Sequence, residues 1–170
     1  LAARLGVKYV RVTAGQAHPE TAVDEGIGWA AEGMHALVER IRGMGPQPLY
    51  ENHGKPGVWQ YTDFSTPADL FMAIFRATED ISLGINYDTA NAAAFTDDPL
   101  GLLDQIVHRV QTVHAADTSV KGSLQGVIIG QGIAPFPAVF NRLQRAGFDN
   151  WICIEENAKQ GRRGVDEAAK

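Results

Sequence analysis

The sequence has one cysteine, Cys153, and no apolar run that approaches the length of a membrane-spanning helix. A lone cysteine excludes an intrachain disulfide and is typical of a reducing compartment. A bilayer-spanning helix needs about 20 consecutive apolar residues, so no membrane partner is expected. No signal-peptide pattern is visible either. These absences together predict a cytoplasmic protein.

Positive charge is also scarce. The 15 lysine and arginine residues are outnumbered by 20 aspartate and glutamate residues, which gives a net charge of −5. This balance disfavours a nucleic-acid partner or an anionic membrane surface. No Gly-x-Gly-x-x-Gly directly follows a predicted strand, so phosphate binding has little support. The 45% of hydrophobic residues is ordinary for a globular protein, and the length of 170 residues predicts one domain over residues 1–170.

Short apolar runs alternate with segments of helical periodicity along the whole chain. The predicted strands are Val7–Thr13, Pro48–Asn52, Ile81–Asp88, Val110–His114 and Trp151–Glu155. The predicted helices are Gly26–Arg42 and three that begin at the capping box Thr66-Pro67-Ala68-Asp69, at Asp98-Pro99 and at Pro135. No hairpin signal such as Asn-Gly lies between the apolar runs, which favours parallel strands joined by helical crossovers. An open doubly wound α/β sheet and a closed barrel both fit this pattern.

Four of the predicted strands end on a side chain that can bind a metal: Glu51, Asp88, His114 and Glu155. In parallel α/β folds the carboxyl ends of the strands carry the functional groups. Side chains alternate between the two faces of a strand, and one parity rule places all four residues on the same face. A single such residue is more often a helix cap or an ordinary polar residue, but four in register indicate a metal site. Three carboxylates and one imidazole suit Mn²⁺ or Mg²⁺, with Co²⁺ or Zn²⁺ as alternatives.

Four further polar residues lie close to these strand ends and are candidates for substrate binding. His53 could contact a substrate, with a solvated loop histidine as the equal alternative, and Asn91 could bond to a substrate hydroxyl or to a metal-bound water. Asp117 and Lys121 could orient His114 or contact a hydroxyl or phosphate group, and ordinary loop residues are the slightly favoured alternative. The sequence therefore predicts a cleft for a small polar molecule.

The order and spacing of these segments resemble the sugar isomerase/epimerase superfamily with the xylose-isomerase-like barrel. The resemblance rests on Leu-Tyr-Glu51-Asn-His, Gly-Ile-Asn-Tyr-Asp88-Thr-Ala-Asn, Val-His114-Ala-Ala-Asp117 and Trp-Ile-Cys-Ile-Glu155. Members include ketose 3-epimerases, hydroxypyruvate isomerases and inosose dehydratases. The resemblance implies a (β/α)8 TIM barrel, of which this chain holds about the last five βα units and lacks the N-terminal strands.

The resemblance also implies a separate role for each of the four strand-end residues. The matching residues of the family hold one divalent metal, with Glu51 and Glu155 as the proton-transfer pair and Asp88 and His114 as ligands only. We expect a metal-dependent isomerase or epimerase that converts a small sugar, sugar derivative or polyol ketone through an enediolate. The sequence does not show whether the helical faces pair with a second copy, so a homo-oligomer is one alternative.

Three alternatives to this activity stay open. They are an inosose-type dehydratase that uses the same site, a metal hydrolase like the DNA-repair endonucleases of this fold, and a catalytically silent barrel fragment that acts as a binding module. Asn91 stands where the family often has histidine, and the DNA-repair endonucleases use that histidine in a multi-zinc cluster. Its absence and the acidic net charge disfavour the endonuclease.

Overall fold

The computed structural model describes residues 1–55 and 57–170. The chain divides into two compact units, Leu1–Ile85 and Asn86–Lys170, and the boundary falls inside the third strand. No helix in these described ranges is long and apolar enough to cross a membrane. The expectation of one domain over residues 1–170 stays a prediction.

Strands and helices alternate as the sequence predicts, although the first, third and last predicted strands are shorter in the structure, the second is shifted by one residue and the fourth is longer by one. The strands are β1 (Tyr9–Val12), β2 (Gln47–Glu51), β3 (Gly84–Asp88), β4 (Val110–Ala115), β5 (Asp117–Thr118), β6 (Gly126–Val127) and β7 (Trp151–Ile154). The helices are α1 (Val23–Arg40), α2 (Ala68–Ala77), α3 (Thr89–Phe95), α4 (Pro99–Ile106), α5 (Phe136–Arg145) and α6 (Arg162–Ala168). Short 3-10 turns lie at Ala2–Leu5 and Val107–Arg109. Helices α3 and α6 and the strands β5 and β6 are additional to the predicted elements.

In the first unit β1 pairs with β2 in parallel, with Val12 opposite Tyr50, and β2 neighbours β3. The ring of Tyr50 stacks on Phe71 of α2 with their centroids 4.7 Å apart. Tyr50 therefore faces the helix, and Glu51, the next residue, faces the opposite side of the strand. This agrees with the parity predicted for β2.

In the second unit β3 neighbours β4, and β4 pairs with β7 in parallel. The hydroxyl of Thr112 in β4 donates to Asn86 Oδ1 in β3 at 2.6 Å, so these two residues share a face. The hydroxyl of Tyr87 donates to the carbonyl oxygen of Pro99 in α4 at 3.0 Å. Tyr87 thus faces the helices, and Asp88 faces the side of Asn86 and Thr112.

Three local features differ from what the sequence predicts. The parity rule that turns Glu155 to the site face places Ile152 and Ile154 on the opposite face, against helices, but they are 42% and 37% exposed, because β7 is an edge strand beside β4 among the described strands. Strands β5 and β6 form a short antiparallel pair inside the glycine-rich segment, where no apolar alternation signals it. Thr66 does not cap α2, because its hydroxyl donates to the carbonyl oxygen of Asp63 at 2.8 Å and the helix begins after Pro67.

Candidate metal centre and its surroundings

Asp88 ends β3 and is also the residue that caps α3. Its Oδ1 accepts a hydrogen bond from the backbone N–H of Asn91 at 2.7 Å, which satisfies one of the donors that a helix start leaves without an intrahelical partner. Its Oδ2 lies 4.0 Å from Nδ1 of His114. The helix cap therefore fixes the rotation of the carboxylate and directs the second oxygen toward β4.

His114 lies between two carboxylates of the second unit. The backbone N–H of Glu155 donates to the carbonyl oxygen of Ala115 at 2.9 Å, which continues the pairing of β4 with β7 by one residue. This register brings Glu155 Oε2 to 3.3 Å from His114 Nδ1. The carboxylates of Asp88 and Glu155 thus both approach the same nitrogen of the imidazole.

Thr89 ties the ends of β3 and β4 together. Its hydroxyl donates to the carbonyl oxygen of Ala116 at 2.5 Å and accepts from the backbone N–H of Ala116 at 3.0 Å. These bonds hold the backbone beside Asp88 at a set distance from the backbone beside His114. The sequence does not predict this role of Thr89, because a threonine at a helix start is common and nothing local reveals a partner 27 residues away.

The donor types of the second unit suit a divalent cation. Two carboxylates, from Asp88 and Glu155, approach one imidazole, so the site presents an excess of negative charge and oxygen donors together with one nitrogen. Oxygen-rich sets with one imidazole suit Mn²⁺ and Mg²⁺, and Zn²⁺ also accepts both donor types. A cation at this place would relieve the repulsion between the carboxylates.

In the first unit Glu51 ends β2 and is fully buried. A guanidinium N–H of Arg11, in β1, donates to its Oε2. This hydrogen-bonded ion pair offsets the cost of burying the carboxylate. The sequence reading missed Arg11, since an arginine within Val-Arg-Val is typical of any half-exposed strand and its partner is 40 residues away.

His53, two residues after Glu51, lies between two carboxylates of the first unit. Its Nε2 is 4.0 Å from Glu51 Oε2, and its Nδ1 is 3.6 Å from Oδ2 of Asp63. The ring also makes a T-shaped contact with Trp59, with centroids 5.9 Å apart. Asp63 was not among the predicted site residues, and only its place in the loop that follows Glu51 could have suggested it.

The other three predicted substrate residues have different surroundings. Asn91 is buried, and its side-chain oxygen has no hydrogen-bond partner among the described residues. Lys121 is exposed, and its Nζ lies 3.6 Å from Oδ1 of Asp97, which is also exposed. Asp117 is buried, and its carboxylate accepts from the backbone N–H groups of Thr118, Gly130, Gly132 and Ala134. Asp117 therefore anchors the glycine-rich loop, and the assignment of these residues to substrate binding stays a prediction.

One family model, several curated proteins and several solved structures match this chain. Residues 1–170 match the family described as xylose isomerase-like TIM barrel. An inosose dehydratase of Lacticaseibacillus casei is 24% identical over 141 residues, which covers 74% of this chain and 45% of that protein. A solved D-tagatose 3-epimerase-like protein has a TM-score of 0.79 at 21% identity. The alignment covers 99% of this chain and 62% of that protein's chain. A solved IOLI protein, described with a binding zinc atom, has a TM-score of 0.81 at 18% identity with the same coverage. The chain thus spans about half the length of the curated relative, 45% of it.

Proposed function

The chain belongs to the xylose isomerase-like TIM barrel family, and we propose that it supplies the divalent-metal site of an enzyme that isomerises or epimerises a small sugar-like ketone. The membership and the α/β barrel class agree with the sequence-based expectation. The observation that carries the proposal is the position of His114 Nδ1, 4.0 Å from Asp88 Oδ2 and 3.3 Å from Glu155 Oε2. A structural imidazole needs one hydrogen-bond partner at this nitrogen, whereas two carboxylates around it favour a cation.

We propose Glu51 as a further ligand, because it places a carboxylate at the end of β2 as Asp88 does at the end of β3. Its carboxylate has Arg11 as the counter-charge in the protein itself. An ion that binds Glu51 therefore competes with the guanidinium of Arg11, and we expect Arg11 to turn to other acceptors when the ion is present.

The chemistry assigned to the site is proton transfer beside a carbonyl group. When bound, the ion supplies positive charge that stabilises the oxyanion formed as the proton leaves. Glu155, whose side chain is 44% exposed, removes the proton from carbon, and Glu51, protonated at that stage, returns one. Return to the opposite face of the same carbon gives an epimer, and return to the neighbouring carbon gives the aldose or ketose isomer.

A dehydratase is the second candidate, and the match to an inosose dehydratase favours it. The first step is the same removal of a proton beside the carbonyl group by a glutamate. The hydroxyl group on the next carbon then departs with a proton as water, and a carbon–carbon double bond forms. The two candidates therefore differ in what happens after the proton has left.

Metal titration followed by product analysis tests the proposal. The purified chain is treated with chelator, dialysed and titrated with Mn²⁺, Mg²⁺, Co²⁺ and Zn²⁺ by calorimetry. We expect binding of one ion by the wild type and by Lys121→Ala, which changes an exposed residue, and loss of binding in His114→Ala. Binding of none of the four ions by the wild type would refute the metal site.

Incubation in deuterated water with a ketohexose and with 2-keto-myo-inositol then separates the activities. Deuterium on a carbon of the ketose supports the isomerase or epimerase, and loss of water from the keto-inositol supports the dehydratase. Ion binding without turnover of either compound favours the binding module, and nicking of DNA without sugar turnover favours the hydrolase. The Glu155→Gln variant should lose the deuterium exchange and still fold.

A further inference from the structure

We propose that Asp63 is a positioning residue that fixes the ring and the tautomer of His53, so that Nε2 of His53 accepts a hydrogen bond from a substrate hydroxyl group at the mouth of the site. The role given to the substrate rests on the proposed function. The effect of Asp63 on the ring rests only on contacts within the first unit.

One carboxylate oxygen of Asp63 is held by hydrogen bonds, and the other faces His53. It is fully buried, and its Oδ1 accepts from the backbone N–H of Ser65 at 2.8 Å and from the Ser65 hydroxyl at 2.7 Å. Its backbone N–H donates to the carbonyl oxygen of Gly54 at 2.8 Å. These bonds fix the carboxylate plane, and they leave Oδ2 directed at the imidazole.

Oδ2 of Asp63 faces Nδ1 of His53, and the phenol of Tyr50 also interacts with the Asp63 charge. Asp63 Oδ2 and His53 Nδ1 are both buried and lack a hydrogen-bond partner among the described residues, and they lie 3.6 Å apart. That separation is slightly longer than a hydrogen bond, and a small rotation of the ring closes it. Burying both atoms without a bond would be costly, so we infer that His53 carries its proton on Nδ1 and donates it to Asp63.

The backbone and one aromatic ring restrict the histidine further. The hydroxyl of Thr66 donates to the carbonyl oxygen of His53 at 3.2 Å, and the edge of the ring meets Trp59. With Nδ1 directed at Asp63, Nε2 points toward the end of β2, 4.0 Å from Glu51 Oε2. The side chain keeps 13% of its surface exposed while Nδ1 is buried, so we infer that Nε2 is the nitrogen that a ligand reaches. A neutral ring in this tautomer offers an acceptor there, as a sugar hydroxyl requires.

Nitrogen-15 NMR of the full chain tests the tautomer directly. The spectrum is recorded where His53 is neutral, and its signals are assigned by their loss in His53→Gln. In the wild type we expect Nδ1 to be protonated and Nε2 to be bare. In Asp63→Asn the amide oxygen still accepts from Ser65, so the NH2 group faces Nδ1 and the proton should move to Nε2.

Ser65→Ala is the matched control, because it removes one hydrogen bond to Asp63 but keeps the charge that faces His53. It should lower the unfolding midpoint and leave the tautomer unchanged. A wild type with the proton on Nε2, or an Asp63→Asn variant with an unchanged tautomer, would overturn the positioning role. The spectrum needs neither metal nor substrate, so its outcome is separate from that of the proposed function. With a substrate in hand, Asp63→Asn should raise KM at least tenfold, whereas Ser65→Ala should not.

Discussion

The backbone N–H of Asn91 donates to Asp88 Oδ1 at 2.7 Å, and the other oxygen of the same carboxylate lies 4.0 Å from His114 Nδ1. One carboxylate therefore starts a helix and faces the proposed metal centre. The two roles are compatible because each uses a different oxygen. The usual interpretation of an acidic residue at a strand end, a helix cap, is correct here and does not compete with a metal role.

The two roles of Asp88 can be separated by substitution. Asparagine caps helices as well as aspartate does, so Asp88→Asn should leave the unfolding free energy of the metal-free protein within about 0.5 kcal/mol of the wild type. Asp88→Ala removes the cap and should cost about 1 kcal/mol. Both variants lose the charged ligand, so neither should show the stabilisation by excess Mn²⁺ expected of the wild type, about 2.7 kcal/mol at a hundredfold excess over Kd. Urea unfolding with and without the ion measures both effects, and a metal response retained in Asp88→Asn would contradict the assignment.

The strand ends could be predicted from the sequence because side chains alternate with a period of two. Once Tyr50 faces α2 and Tyr87 faces α4, the positions of Glu51 and Asp88 follow without further information. The same rule predicts that Asn86 and Thr112 lie on the face of Asp88 and His114, and the hydrogen bond between them agrees with it. It did not give burial on the other side of β7, because exposure depends on which elements cover a strand and not on its own pattern.

The residues that surround the strand ends could not be predicted in the same way. Arg11 reaches Glu51 from 40 residues away, and Asp117 collects backbone N–H groups from up to 17 residues away. Asp63 is brought to His53 by the path of a long loop. In each case the partner is chosen by the tertiary fold, and a carboxylate with several tertiary partners looks like any other carboxylate in the sequence.

Asp117 should prove important for stability through the loop it anchors. Asp117→Ala leaves the N–H groups of Gly130, Gly132 and Ala134 without their acceptor, and we expect a loss of about 3 kcal/mol or more. Asp117→Asn keeps one oxygen and should lose less. Lys121→Ala, an exposed change in the same segment, should stay within about 0.5 kcal/mol. Urea denaturation checks the order, and a stable Asp117→Ala variant would show that water replaces the carboxylate.

Gly26 in α1 is required by its neighbour Phe64 rather than by its own backbone. A Cβ atom at this position would lie 2.4 Å from the Phe64 ring, so Gly26→Ala must displace that ring and should cost about 1–3 kcal/mol despite the better helix propensity of alanine. Gly33→Ala, in the same helix with open space around it, should gain about 0.5–1 kcal/mol. The double variant Gly26→Ala with Phe64→Leu should recover part of the loss. Thermal unfolding of the four proteins measures these differences, and equal effects at the two glycines would contradict the packing argument.

Two buried tyrosines should make the fold sensitive to alkali. Burial raises the pKa of Tyr50, and burial followed by the charge of Asp88 raises the pKa of Tyr87. The folded protein therefore keeps both phenols protonated where the unfolded chain ionises them, near pH 10. The contribution of each phenol is fully present below pH 10, and above it the unfolding free energy should fall by about 1.4 kcal/mol per pH unit for each tyrosine.

Phenylalanine variants test which tyrosine is responsible. Tyr50→Phe should change the stability at pH 7 little, because it removes no more than a weak contact of the buried hydroxyl with Ser65. Tyr87→Phe loses the bond to the Pro99 carbonyl oxygen and should cost about 1 kcal/mol. Each variant should also show a shallower decline between pH 10 and roughly pH 11.5, which urea titrations across that interval measure. If the unfolding free energy declines as steeply in both variants as in the wild type, groups other than these phenols cause the decline. Burial of Tyr50 and Tyr87 would then not be what limits the stability of the fold at high pH.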